Sequence, residues 1–156
     1  MVRLTKVALA LSVGIWGLLS GLHNLAGYEK GLAAVREVLT MKTVPVQPYP
    51  VDNELIITLG FAFIWLSKLI GGTLCAWGSV KMWKVRNEEL VVFTKAKELA
   101  IAGCVVIFLM LFLGFNLIST ILFMVFMSPV VETTHLSWAF AGEIGIIMIF
   151  LHMRDV

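Results

Sequence analysis

Between Leu99 and Met127 the chain runs for about 29 residues without one Asp, Glu, Lys or Arg. As a helix at 1.5 Å per residue, that run reaches roughly 44 Å, more than the hydrocarbon thickness of a bilayer at about 30 Å. In lipid every backbone N–H and C=O must be satisfied from within the protein, so a long continuous apolar run of this kind must be helical. The same character recurs at about 7–27, 55–83 and 136–153. These four runs predict an all-α fold: a four-transmembrane-helix bundle forming one integral membrane domain over 1–156. Basic residues precede the first run at Arg3 and Lys6, as in a signal peptide, but the segment is read as a retained span. The third run exceeds the bilayer thickness and must tilt or project.

Composition agrees. The chain is 60% hydrophobic and 14% charged, with a mean hydropathy of +0.96. Soluble domains sit near 45–50% and 25%, so a soluble globular protein and a disordered one are both excluded. The net charge of +2 is too small to suggest a nucleic-acid partner. Cys75 and Cys104 both fall inside apolar runs, where buried free thiols are expected rather than a secreted disulfide framework.

Basic residues near the span ends set the orientation. Arg3, Lys6, Lys81, Lys84, Arg86, Lys95, Lys97 and Arg154 fall on one side, against Lys30, Arg36 and Lys42 on the other. Both termini and the 84–98 loop are therefore expected in the cytoplasm. Between spans 1 and 2 the 28–54 segment is the only sizeable extramembrane stretch. Leu32, Val35, Val38 and Leu39 recur there at helical spacing among charges. This predicts a short amphipathic outer-face helix, lying either on the membrane surface or over the mouth of the bundle. Pro45, Pro48 and Pro50 make the rest of the loop extended. Trp83 and Trp138 fall at predicted interfaces, as an aromatic belt requires.

Two charges fall within spans. Lys68 sits near the middle of the second and Glu143 near the middle of the fourth. Insertion scales put each at about 2.5–3.5 kcal/mol, so such groups usually face inward and pair. A Lys68–Glu143 intramembrane ion pair is expected, either fixing helix register or serving a proton or ion relay; the alternatives are pairing with another subunit, or Lys68 snorkelling. Gly14, Gly17 and Gly21 form a small-residue face on span 1, and Ala141 with Gly145 another on span 4; Ser67 and Gly71 are spaced alike in span 2. Such faces allow close helix packing, within the chain or against a partner helix.

Polar groups elsewhere are few. His23 and Asn24 end the first span, Asn116 lies in the third, and His135 precedes the fourth. His23 and His135 form the one conceivable outer histidine pair for haem b, with a quinone as the related option, but nothing resembles the repeated in-span histidines of a cytochrome b. No metal site is expected. Nucleotide loops, HExxH, CxxC and Gly-x-Ser-x-Gly patterns are missing, so no enzyme and no cofactor is expected.

Several segments read in order resemble a bacterial family described only as predicted small integral membrane proteins. They are Leu22-His23-Asn24-Leu25, then Val35-Arg36-Glu37-Val38-Leu39-Thr40-Met41, which is similar to that family's Val-Arg-His-Val-Leu-Ser-Met. Phe93-Thr94-Lys95-Ala96-Lys97-Glu98-Leu99-Ala100-Ile101-Ala102-Gly103 and Gly114-Phe115 follow. The chain departs from the family at Phe123–Ser128, where the family carries Met-Trp-Gln-Ser and Trp-Asn-Gly-Gln. The family also tends to place an acid in span 2 and an arginine in span 4, the reverse of Lys68 and Glu143. The resemblance implies a four-helix fold in the bacterial inner (cell) membrane and confers no catalytic residues. The function expected is a non-catalytic accessory or scaffolding subunit of a larger complex, with membrane lipids and other integral membrane subunits as partners. The alternatives are a small oligomeric transporter or channel using Lys68 and Glu143, or a haem- or quinone-binding redox subunit.

Overall fold

In a computed structural model the chain is described over residues 1–129 and 134–155, with side chains from Leu136 onward in the last helix. The described part is built from helices and the turns that join them, with no strand among the described residues. α1 spans Val2–Ala26, α2 Tyr28–Thr40, α3 Glu54–Lys84, α4 Leu90–Leu109 and α5 Thr134–His152. α4 runs without a break into a π-helical segment, Met110–Leu122. Three helices are long and apolar enough to cross a membrane: Val2–Ala26, Glu54–Lys84 and Leu90–Leu122. The apolar part of α5, Leu136–His152, is shorter.

α3 is the central helix, and small residues on two of its faces make it so. On one face Gly72 lies against Gly17, so close that a Cβ on Gly72 would stand 2.7 Å from the backbone nitrogen of Leu18. On another, Gly71 and Gly103 approach until a Cβ on Gly103 would meet the Gly71 carbonyl at 2.6 Å. Where hydrocarbon surrounds the helices, burial gains little and close backbone approach supplies the dispersion contact that holds them. The Gly14, Gly17 and Gly21 face is therefore used inside the chain, against Ala76, Gly72 and Leu69 of α3. Ala141 of α5 is likewise buried in the main core, and Gly145 sits beside Phe108.

The third expected span is displaced. Helix begins at Leu90, nine residues before the uncharged run, and ends at Leu122, five before its end. Met124 then takes a left-handed conformation at φ 51°, which no helix continues, and Val125–Met127 forms a single 3-10 turn. Apolarity alone did not mark this end because Phe123, Val125 and Met124 pack with Leu39, Met41 and Ile57 in a second small core.

α2 forms where the amphipathic spacing predicts and packs Leu32, Val35, Val38 and Leu39 onto that second core. Met41, at φ 52°, ends it. The proline segment returns irregularly to Asn53, whose side chain accepts hydrogen bonds from the N–H groups of Leu55 and Ile56 and caps α3. Arg36 reaches from α2 to Glu54 in a two-pronged ion pair, one prong at 2.6 Å, that fixes α2 over the start of α3.

At the other end of the bundle the two ends of the chain meet. Lys6 of α1 lies 2.9 Å from Asp155, just past α5. The Arg3 guanidinium donates to the carbonyls of Arg86 and Glu88 in the α3–α4 turn.

Candidate functional site

Charges in this molecule are handled in two ways. At the terminal end, Asp155 is buried between two lysines, Lys97 at 2.6 Å and Lys6 at 2.9 Å, and all three side chains are almost wholly sequestered. Both ammonium groups also donate to the Met153 carbonyl. Burial pushes the Asp155 carboxyl up, but the two lysines outweigh it and hold the carboxyl below its ordinary value. Sequence reasoning missed this cluster. Lys6 and Lys97 read as orientation signals, and the one hint was an acid set among basic residues just after the last span.

Midway along the bundle the expected ion pair is not made. Among the described residues the salt bridges are Lys6–Asp155, Arg36–Glu54 and Lys97–Asp155. Lys68 is half-buried, its Nζ 5.9 Å from the centre of the Trp16 ring. Glu143 is exposed on the outward side of α5, beside Gly142, around whose Cβ position there is nothing within 4 Å. The physical reason is rotational. Ala141 and Ile144 occupy the buried side of α5, so residue 143 is turned away from the bundle. The place of each charge near the middle of its helix was legible in the sequence; the facing of each side chain was not.

Lys68 opens into a cavity of about 200 Å³ lined by Trp16, Ser20, Phe115, Ser137 and Phe140, with Leu111 and Leu136 completing it. Trp16 and Phe140 stack obliquely across it, with ring centres 5.1 Å apart. Beside it, a second cavity of about 230 Å³ lies under α2. Phe61, Ile64, Val35 and Ile118 give it an almost wholly apolar wall, and Asn24 and Ser119 are its polar side chains. Phe115 lines both cavities. Lys68 and Ile64 are one turn apart on α3, as are Ser20 and Asn24 on α1, so the two cavities follow one another along the same groove. The π-helical segment walls both, through Leu111, Phe115 and Ile118. π-winding is rare, and the single-turn bulges in which it mostly occurs are frequent at functional sites. Here the Thr120 hydroxyl donates to the Phe115 carbonyl, five residues back, in step with that winding.

The remaining sequence candidates separate. Asn116 accepts a hydrogen bond from Ser137 at 3.1 Å, joining the π-segment to α5. His23 is exposed at the end of α1. The side chain of His135 lies outside the described residues, so the outer histidine pair cannot be placed. No group of three or more His, Cys, Asp or Glu able to hold a metal occurs among the described residues. Cys75 and Cys104 are free, fully buried and 3.6 Å apart at sulfur, across the α3–α4 contact.

The matching family model is that of a predicted small integral membrane protein (DUF2165), and it covers residues 2–154. The chain belongs to that family. From the segments that carry the resemblance, Asn24, Val35, Val38, Leu39, Gly114 and Phe115 line the apolar cavity under α2, whereas the 93–103 segment does not. No curated protein and no solved structure matches the chain.

Proposed function

We propose that this protein is a non-catalytic accessory or scaffolding subunit of a larger bacterial inner-membrane complex, crossing the membrane four times with both termini in the cytoplasm. Four crossings are supported by the Lys6–Asp155 contact, which puts the two chain ends at one end of the bundle and so favours an even number of spans. The basic residues clustered at that end, Arg3, Lys6, Lys84, Arg86 and Lys97, favour the cytoplasmic side. In this arrangement α2 caps the outer mouth of the bundle.

The observation that carries the subunit reading is Glu143. It sits at the midpoint of α5 on a face made of Gly142, Ile146 and Ile149, all exposed. A carboxyl facing lipid at that depth costs about 2.5–3.5 kcal/mol on insertion scales, and a donor on a neighbouring transmembrane helix offsets that cost. Gly142 leaves room for such a helix to approach. The partner is thus an integral membrane subunit with a cationic or hydrogen-bonding side chain at mid-depth. A transport reading would need Lys68 and Glu143 on one path, and their different facings lend it no support. The proposal involves no catalytic group, cofactor or nucleic acid.

The test is site-specific photocrosslinking in native membranes. A photoreactive residue at Ile146 should give one discrete adduct with another integral membrane protein, weakened by Glu143→Gln. The same probe at Leu19, exposed on α1, should give none. Equal, diffuse labelling at both positions would sink the reading.

A further inference from the structure

Among the described residues, Lys68 is a partly buried charge that no carboxylate answers. It projects from α3 into a recess, with Trp16 and Phe140 as aromatic walls and the Ser20 hydroxyl beside it. Among the described residues the carboxylates engaged in salt bridges are Asp155 and Glu54, and neither pairs with Lys68. An ammonium held in a low-dielectric recess calls for an anion. One ammonium and the Ser20 hydroxyl, with the Ser137 hydroxyl of the same lining donating to Asn116, suit a group with a single negative charge, whereas phosphate recognition characteristically recruits arginine forks or several donors. Immediately along the groove lies the apolar cavity under α2, whose lining offers hydrocarbon contact and almost nothing polar. Phe115 stands between the two chambers as a wall of each. Each chamber alone is below the roughly 300 Å³ at which small-molecule sites begin, and the pair together falls within that range.

We propose that the two chambers form one site for a single-chain fatty carboxylate, its head group on Lys68 and Ser20 and its alkyl chain passing Phe115 into the apolar cavity under α2. The small volume of the two chambers suits one acyl chain rather than two. The π-helical segment provides the widened wall against which that chain lies. The site is separate from the Glu143 face and stands whether or not that face binds a partner.

The experiment uses the full chain in nanodiscs of zwitterionic phosphatidylcholine, with a diazirine-bearing palmitate as probe and adducts mapped by mass spectrometry. Labelling should saturate and centre on the segment around Phe115. Unlabelled palmitate should compete at least tenfold better than its methyl ester, a comparison that needs no variant. Lys68→Met should weaken binding at least tenfold, and Lys68→Arg should retain most of it. Gly114→Phe, which fills the apolar chamber and leaves the charge, should also weaken it. Equal competition by acid and ester would overturn the proposal, as would unchanged binding in Lys68→Met. Displacement by two-chained phosphatidylglycerol as effective as by palmitate would overturn it too, and so would adducts confined to Glu143 and its neighbours.

Discussion

The terminal end of the bundle and its middle treat charge in opposite ways. At the terminal end Asp155 answers two lysines within 3 Å, and the cluster is shut away from the surroundings. In the middle Lys68 faces a recess and Glu143 faces outward, with no pairing between them. A membrane protein that can bury a three-membered ion cluster at one end has the means to satisfy its charges internally. That two mid-depth charges stay apart therefore directs attention outside the chain, to a ligand for one and a neighbouring helix for the other.

The largest effect should come from the satisfied region. Asp155→Asn leaves two buried ammonium groups without their acid, and breaking a buried pair from one side typically costs about 3–5 kcal/mol. Thermal unfolding in detergent should show a large fall in the midpoint; a shift no greater than that of a surface substitution would mean the cluster is not buried in solution. The same contact predicts an acid dependence. The folded Asp155 carboxyl titrates below its ordinary value, so its contribution is fully present above the unfolded value, about 3.9. It is lost as the pH falls below that through the depressed one. In Asp155→Asn that particular acid sensitivity should disappear.

Glycines extend the comparison at a smaller scale. Gly72→Leu forces a side chain where the backbone of Leu18 already stands, and overpacking of this kind costs about 1–3 kcal/mol by separating the helices. Gly142→Leu, with nothing within 4 Å, should leave the stability of the isolated chain within about 0.5 kcal/mol. Its effect should appear instead as loss of the Ile146 photoadduct. If Gly142→Leu destabilised the isolated chain as much as Gly72→Leu, the outward face of α5 would be an internal one.

Much of the fold could be read from the residues, and the reasons are physical. Hydrocarbon demands long apolar helices, so Val2–Ala26 and Glu54–Lys84 fall close to the runs that announced them. α2 followed from the 3–4 spacing of Leu32, Val35 and Leu39. The end of the third span did not follow, because Phe123 to Met127 is as apolar as lipid yet folds against Leu39 and Met41. The site was less legible. Depth along a helix is counted in residues, which is how Lys68 and Glu143 came to look like a pair; facing depends on which side of α5 finds the core, and in a helix apolar on most sides hydrophobicity does not mark it. The Lys6–Asp155–Lys97 cluster joins residues from both ends of the chain, and no local pattern announces such a contact.

The central claim is that the chain satisfies its charges at one end and leaves them to outside partners in the middle. Two double-mutant cycles, run on the isolated protein in zwitterionic nanodiscs, test it most directly. Lys97→Met with Asp155→Asn should show strong coupling, in the upper part of the roughly 0.5–3 kcal/mol range seen for interacting residues. Lys68→Met with Glu143→Gln should be additive to within about 0.3–0.5 kcal/mol. Coupling between Lys68 and Glu143 as large as that between Lys97 and Asp155 would contradict the account, since it would mean that the mid-membrane charges answer one another after all.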